Sequence, residues 1–366
     1  MTGHGIELHL TASPDGDALA LFAQAEGVTP HAVPMTRAMT PLADLRALWR
    51  LYRLLGTLEP DVVQAGTPKA GFLGVLAAFA RRVPVRIYHM HGIRGMTAQG
   101  WQRRILMATE ALTCRLATSV LCVSASTRQT ALDAGLCGPE KILVLGAGSC
   151  NGVDARQRFD PSSFSAQGRA ELRARLQLSP EGPVLGFVGR VVRDKGIVEL
   201  ASAWEQLARE FPALQLVLVG PQEREDAVPR TVIDALRDHP RVRFVPQVAD
   251  PAPYYSIMDL VILPTYREGL PNVPLEAAAM GLPVVATRVA GCVDAVVDGV
   301  TGTLVPARDA AALVVAAGRY LRDPALGRQH GTAARARVLR DYVPEELWAR
   351  LLAYYRAQPG LQRGGY

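Results

Sequence analysis

Glu268 and Glu276 stand at the two ends of a short stretch rich in turn residues, Gly269-Leu270-Pro271-Asn272-Val273-Pro274-Leu275. A strand-like run, residues 260–264, comes just ahead of it, and residues 275–280 read as helical. A helix start offers unpaired backbone N–H groups and the positive end of a dipole, which suits phosphate. A carboxylate one or two turns further in can accept hydrogen bonds from sugar hydroxyls. The combination fits a ligand carrying both phosphate and hydroxyls, such as a nucleotide sugar. The stretch reads equally well as a loop with a solvated Glu268 and a helix-start Glu276 favoured by the dipole.

A second loop, Gly189-Arg190-Val191-Val192-Arg193-Asp194-Lys195-Gly196, follows a buried strand-like run and precedes a helical one. Arg190 and Lys195 share this loop and can converge on one anion. When a nucleoside diphosphate departs, negative charge develops on its oxygen. An arginine fork and a lysine point charge placed there lower the barrier electrostatically. The plainer alternative is two loop cations on a basic protein, and Arg193 reads as solvent-facing.

The residues Tyr266-Arg267-Glu268-Gly269-Leu270-Pro271-Asn272-Val273 and Leu275-Glu276-Ala277-Ala278 resemble the E-x7-E signature of retaining glycosyltransferases of the GT-B fold. The similarity is closest to the family-4 (group 1) members that build capsules and exopolysaccharides. Gly281-Leu282-Pro283-Val284-Val285-Ala286-Thr287, Ala290-Gly291-Cys292 and Asp298-Gly299-Val300-Thr301-Gly302 also resemble that group, and the likeness runs to about Tyr342. The resemblance implies roles residue by residue. Arg190 and Lys195 would hold the diphosphate, Glu276 the ribose hydroxyls, and Glu268 the transferred sugar. The backbone of Gly269, Leu270, Pro271 and Asn272 would face the sugar or its phosphates, and Val245 would line the base pocket. His91, in His89-Met90-His91-Gly92, occupies the family's His-Gly position and would meet the transferred sugar. A histidine ending a strand is otherwise more often structural, and His89 shares its face if the strand persists. Thr67-Pro68-Lys69-Ala70-Gly71 also matches, which assigns Thr67 and Lys69 to acceptor or sugar contacts. Ser124 and Asn151-Gly152-Val153-Asp154 fit family positions near the hinge, where a structural role serves as well. The family further implies retention of configuration with no essential metal or other cofactor. The single D-x-D triplet, Asp15-Gly16-Asp17, reads as turn and helix-cap chemistry.

Strand and helix signals alternate along both halves, which predicts parallel sheets covered by helices on both faces. The expected fold is α/β, GT-B, with two doubly wound Rossmann-like domains and ligand in the central cleft at the strands' carboxyl ends. Residues 1–165 would form the acceptor-side domain, joined by a returning helix within 345–366, and residues 166–344 the nucleotide-sugar domain. Strands are expected at residues 6–10 and 32–35, among others. Residues 41–59 form a strongly amphipathic helix, with Leu45, Leu48, Leu51, Leu54, Leu55 and Leu58 on one face. In the last helix Trp348, Leu351, Leu352 and Tyr355 would supply the packing face.

Composition, 49% hydrophobic and 20% charged, is that of a globular enzyme and excludes a disordered or fibrous chain. The formal charge of +6 comes with no nucleic-acid motif, so no nucleic-acid partner is expected. Between Pro68 and Arg128 the bases are Lys69, Arg81, Arg82, Arg86, Arg94, Arg103, Arg104, Arg115 and Arg128, against the single acid Glu110. Such a patch could meet anionic lipid or an acceptor's pyrophosphate, or be a plainly solvated face. Cys114, Cys122, Cys137, Cys150 and Cys292 form no C-x-x-C pair, which argues against a disulfide framework or a zinc site. No signal-peptide pattern opens the sequence, and the longest apolar run, residues 70–80, is too short to span a bilayer. A cytoplasmic enzyme with peripheral contact at the inner membrane face is therefore expected.

Family members normally begin with a further strand, a glycine-containing loop and a helix. Here Gly3-His4-Gly5-Ile6-Glu7-Leu8 resembles the family's second strand with its lead-in, so the first βα unit is expected to be missing. The expected partners are a nucleotide diphosphate sugar, with uridine favoured by family analogy, and a lipid-linked saccharide acceptor. Two other readings stand beside this one: a sugar-nucleotide epimerase of the same architecture, and a truncated, non-catalytic nucleotide-binding relative.

Overall fold

The computed structural model describes residues 5–14, 16–36, 40–223 and 226–359. It divides into two compact units. The first comprises residues 1–123, 128–145 and 348–366, and the second residues 124–127 and 146–347.

The first unit contains β1 (His9–Ala12), β2 (Thr29–Ala32), β3 (Val62–Gly66), β4 (Val85–Met90), β5 (Ser119–Cys122) and β6 (Ile142–Val144), with helices between successive strands. β1 and β2 pair in parallel as a two-stranded sheet, and β3-β4-β5-β6 form a separate parallel sheet. Both early strands sit differently from expectation. β2 is Thr29–Ala32 where residues 32–35 are expected; it begins two residues after the left-handed Gly27, which ends the helix Ala18–Glu26, and pairing with it places β1 at His9–Ala12 where residues 6–10 are expected. The helix Pro41–Leu58 forms as expected, but only part of its leucine face is covered. Leu51 is buried and Leu48 and Leu55 pack with Val33, Leu73 and Ala77, whereas Leu45 is 63% exposed.

The C-terminal helix Pro344–Arg356 packs on the sheet of this unit. Leu351, Tyr354 and Tyr355 lie against Val85, Ile87 and Leu121. Trp348, expected on that face, is half exposed, and Tyr354 takes the place instead. The reason is anchoring by hydroxyl groups: Tyr354 donates to Ser119 Oγ at 2.6 Å and Tyr355 to Gln64 Oε1 at 2.7 Å. A half-buried phenol gains from such a partner, and these two bonds favour the observed rotation of the helix.

The second unit is built on β7 (Val184–Val188), β8 (Gln215–Val219), β9 (Val242–Val245), β10 (Leu260–Leu263), β11 (Val284–Thr287) and β12 (Gly302–Val305). They form one parallel sheet in the order β12-β11-β10-β7-β8-β9. Every residue of β7, β8, β10 and β11 is buried, as expected of strands with helices on both faces. One continuous core joins them to Ile197, Leu200, Trp204 and Leu207 of the helix Ile197–Glu210 and to Leu275 of the helix Asn272–Ala279. That last helix begins at Asn272, not at Leu275. Pro271 sits at the cap and Pro274 in the first turn, where a missing N–H breaks no intrahelical bond.

Candidate functional site

In the second unit the chain order reverses between β7 and β10: β8 and β9 extend the sheet to one side of β7, and β10, β11 and β12 to the other. The loops leaving the carboxyl ends of two such strands diverge and leave a crevice where ligands of doubly wound sheets bind. The loop after β7 carries Arg190 and Lys195, and the loop after β10 carries Glu268.

These loops are held against each other by backbone. Gly196 has φ +74°, and a Cβ there would lie 1.9 Å from the carbonyl oxygen of Pro264, so only glycine fits. The Asp194 carbonyl accepts the Tyr266 N–H at 2.8 Å and the Thr265 hydroxyl at 3.2 Å. Its carboxylate accepts from Arg267 at 2.9 Å and lies 3.9 Å from Arg190. Asp194 thereby ties the two loops, a role that the sequence does not signal. The outcome is a close pair, with Lys195 Nζ donating to Glu268 Oε1 at 2.5 Å. Arg190 Nη1 donates to Glu223 Oε2 at 2.8 Å.

Glu268 leads into Gly269, Leu270, Pro271 and Asn272 at the start of the helix Asn272–Ala279. Pro271 and Pro274 have no N–H, so the donors of this turn are Gly269, Leu270, Asn272 and Val273. Ser124 and Thr127, which belong to the same unit, donate to the Gly269 carbonyl at 2.7 and 2.9 Å and fix the turn. Glu276 lies in the second helical turn. Burial raises the pKa of its carboxyl, opposed by a hydrogen bond from the Tyr255 hydroxyl at 2.8 Å. Tyr255 is fully buried and holds Oε2 of Glu276. Val245 ends β9, two strands from β7; it is buried, and its carbonyl accepts the Gly220 N–H.

The remaining predicted residues lie in the first unit. His91 follows β4, and its ring packs beside that of His89 at a centroid distance of 4.4 Å. An added Cβ on Gly66 would come within 2.7 Å of His91 Nε2, so the glycine makes room for the ring. Burial of the packed face lowers the His91 pKa, while its other side is open to solvent. Thr67 carries φ +65° and ψ 154°, a strained conformation for a residue with a branched side chain, immediately before the helix Pro68–Ala80. Lys69, in the first turn of that helix, pairs with Asp44 at 2.6 Å. Of the D-x-D triplet, Asp15 lies outside the described residues, and Asp17 stands at a helix cap without a side-chain capping bond.

The two-unit architecture is that of the GT-B glycosyltransferases. HepE of Anabaena, in complex with UDP and glucose, superposes with a TM-score of 0.80 at 22% identity, over 95% of this chain and 91% of that one. Residues 182–323 match the glycosyl transferases group 1 family, and residues 1–148 match the glycosyl transferase 4-like domain. The capsular polysaccharide biosynthesis glycosyltransferase CapM of Staphylococcus aureus is 31% identical over 96% of this chain and 90% of that protein. The GDP-mannose-dependent alpha-(1-6)-phosphatidylinositol monomannoside mannosyltransferase of Mycolicibacterium smegmatis is 31% identical over 82% of this chain and 78% of that protein. The chain belongs to the group 1, family-4-like glycosyltransferases.

Proposed function

We propose that the protein is a retaining hexosyltransferase. It moves a sugar from a nucleotide diphosphate donor, a UDP-sugar, to a lipid-linked saccharide during capsule, exopolysaccharide or O-antigen synthesis. The observation that carries this reading is the Lys195–Glu268 pair at the switch point of the second sheet, with Arg190 on the same loop as Lys195 and Glu276 in the helix that follows Glu268. Glu276 accepts the ribose hydroxyls, and the two cations neutralise the diphosphate. Glu268 and His91 contact the transferred sugar, with Thr67 and Lys69 on the acceptor or sugar. The bond from the anomeric carbon to the phosphate oxygen breaks, and the acceptor oxygen bonds that carbon from the same face. The acceptor's hydroxyl proton passes to the leaving phosphate. Arg190 and Lys195 supply the positive charge, so transfer is expected to persist in a chelator.

Similarity to CapM supports a polysaccharide pathway. UDP and glucose in the HepE complex favour uridine, whereas the mycobacterial relative uses GDP-mannose. The surface of the first unit supports work at the inner membrane face. The helix Pro41–Leu58 exposes Leu42, Leu45, Trp49 and Tyr52 along one edge, beside the exposed Arg46, Arg50 and Arg53. The helix Gly100–Leu116 exposes Trp101 and Ile105 beside Arg103 and Arg104. Apolar side chains rimmed by cations suit an anionic lipid surface. Among the described residues no helix is long and apolar enough to cross a membrane, so the proposed contact is peripheral.

The test is a mass-spectrometric assay with mixed UDP- and GDP-sugars and EDTA, with and without extracted membrane lipids. Sugar appearing on lipid, with UDP released, is the expected result. Interconversion of donors without acceptor would point to an epimerase, and UDP binding without turnover to a non-catalytic relative.

The Arg190–Glu223 pair yields a further expectation. The Glu223 carboxylate competes with an incoming diphosphate for the guanidinium. Pairs this exposed are worth about 0.2–1 kcal/mol, so Glu223→Gln should tighten UDP binding by about 1.4- to fivefold. Calorimetric titration with UDP measures this; unchanged or weaker binding would remove Glu223 as a competitor.

A further inference from the structure

β3 and β4 pair with Gln64 opposite Ile87 and Gly66 opposite His89. Side chains alternate along a strand, so Gln64, Gly66 and His89 face the same side of the sheet. The helix Pro344–Arg356 covers that side and brings Tyr355 to it. The Tyr355 hydroxyl donates to Gln64 Oε1 at 2.7 Å, and Gln64 Nε2 stands 3.3 Å from His89 Nδ1. His89 is 8% exposed, and its ring lies 4.4 Å from that of His91 at an interplanar angle of 41°. The bare backbone of Gly66 lies near Nε2 of His91, where an added Cβ would come within 2.7 Å.

Donor and acceptor rules give this chain a direction. A phenol that donates to Oε1 turns the amide so that its NH2 faces His89, and an NH2 group can only donate. Nδ1 of His89 must therefore accept, which leaves the ring neutral with its proton on Nε2. A cationic imidazole at this place would carry a proton on Nδ1 directed at the amide donor. It would also set a positive charge against the His91 ring. Burial, with a smaller contribution from His91, accordingly holds the His89 pKa down to about 3.

We propose that Tyr355, Gln64 and His89 form a positioning relay that fixes the ring of His91 beside His89 and Gly66. Through this relay the C-terminal helix sets the orientation of the side chain that meets the transferred sugar. The inference rests on the reading of His91 given above. His89, Gln64 and Tyr355 touch no substrate; they act through His91. A side chain that contacts the reacting centre loses rate when its supporting residues let it move, while donor binding, which depends on residues of the second unit, is left alone.

The experiment combines spectroscopy and kinetics on the full chain. Protein labelled with ¹⁵N-histidine reports the tautomer of each ring through long-range ¹H–¹⁵N correlations. Wild-type His89 is expected as a pure Nε2–H tautomer. In Tyr355→Phe the amide loses its orienting donor, and a tautomer mixture is expected. Gln64→Glu keeps acceptors facing both neighbours but reverses the polarity at His89, so the proton should move to Nδ1. In both variants kcat should fall about tenfold with the donor KM unchanged, the signature of a group displaced at the reacting centre. A purely structural polar cluster would tolerate Gln64→Glu, since both hydrogen bonds can still form. An Nδ1–H tautomer in the wild type, or unchanged kcat in both variants of an active enzyme, overturns the relay. The wild-type tautomer is read without any turnover, so a protein that transfers no sugar would refute the functional reading alone.

Discussion

Lys195→Ala is expected to lower kcat/KM for sugar transfer by about 10²- to 10³-fold, the usual loss when one preorganised group facing developing charge is removed. The ammonium stands on the loop that leaves β7 and is held 2.5 Å from the Glu268 carboxylate. The backbone contact between Gly196 and Pro264 keeps the lysine from swinging away. As the glycosyl–phosphate bond breaks, charge accumulates on the diphosphate oxygen, and a fixed cation there is worth more in the transition state than in the ground state. UDP affinity should therefore fall much less than turnover. The side chain is 18% exposed and stands on a loop outside the hydrophobic core, so the fold should persist; circular dichroism and thermal melting verify that. The same truncation leaves Glu268 without its partner, and a Lys195→Ala/Glu268→Gln double variant separates the two contributions. If Lys195→Ala costs as much in a Glu268→Gln background as in the wild type, the loss belongs to the lysine's charge on the donor. Wild-type turnover in Lys195→Ala would exclude it from the chemistry.

The position of this loop could be read from the sequence because its polar residues stand in a short turn after a buried strand. Polar groups immediately after a wholly apolar run have few places to go except the carboxyl edge of a sheet. The placement of Arg190, Lys195 and Glu268 in loops that follow buried strands was legible for that reason, as was the strand–helix alternation along the chain. The partners of these residues were not legible. Asp194 looks like an ordinary loop acid, yet its carbonyl and carboxylate bind the loop after β10. Tyr255 reads as a core aromatic, and only the fold reveals its hydroxyl on Glu276. Periodicity places Trp348 on the packing face where the fold places Tyr354, because it specifies a face only to within a residue or so; the hydroxyl of Ser119 on β5 makes the selection. The start of the helix at Asn272 was hidden by two prolines, which ordinarily argue against helix but are harmless in a first turn.

Glu110 shows the opposite case, a residue whose sequence context was legible and whose environment was not. In the sequence it is the lone acid of a basic stretch, and in the fold it is 3% exposed within the helix Gly100–Leu116. Its Oε2 accepts from the Tyr88 hydroxyl at 2.7 Å, and its Oε1 is buried with no hydrogen-bond partner. Burial pushes the carboxyl up from an ordinary value of 4.5 to about 7, against the Tyr88 hydrogen bond, which acts the other way. The folded state thus holds this proton more tightly than the unfolded chain does. Its contribution to stability is fully present below pH 4.5 and is lost as pH rises through 7. The gap between the two values corresponds to about 3 kcal/mol. Glu110→Gln keeps the shape and an acceptor for Tyr88 but cannot ionise. Relative to wild type, the variant should gain up to about 3 kcal/mol between pH 4.5 and pH 8.5, read from melting temperatures or urea midpoints across that range. Parallel curves for the two proteins would mean that Glu110 is not ionising in a dry site. The effect bears on function through β4, where Tyr88 and His89 are consecutive and face opposite sides. Ionisation of Glu110 loads the hidden face of the strand whose other face supports His91. Alkaline loss of activity in the wild type should therefore be relieved in Glu110→Gln, even though residue 110 lies away from any substrate.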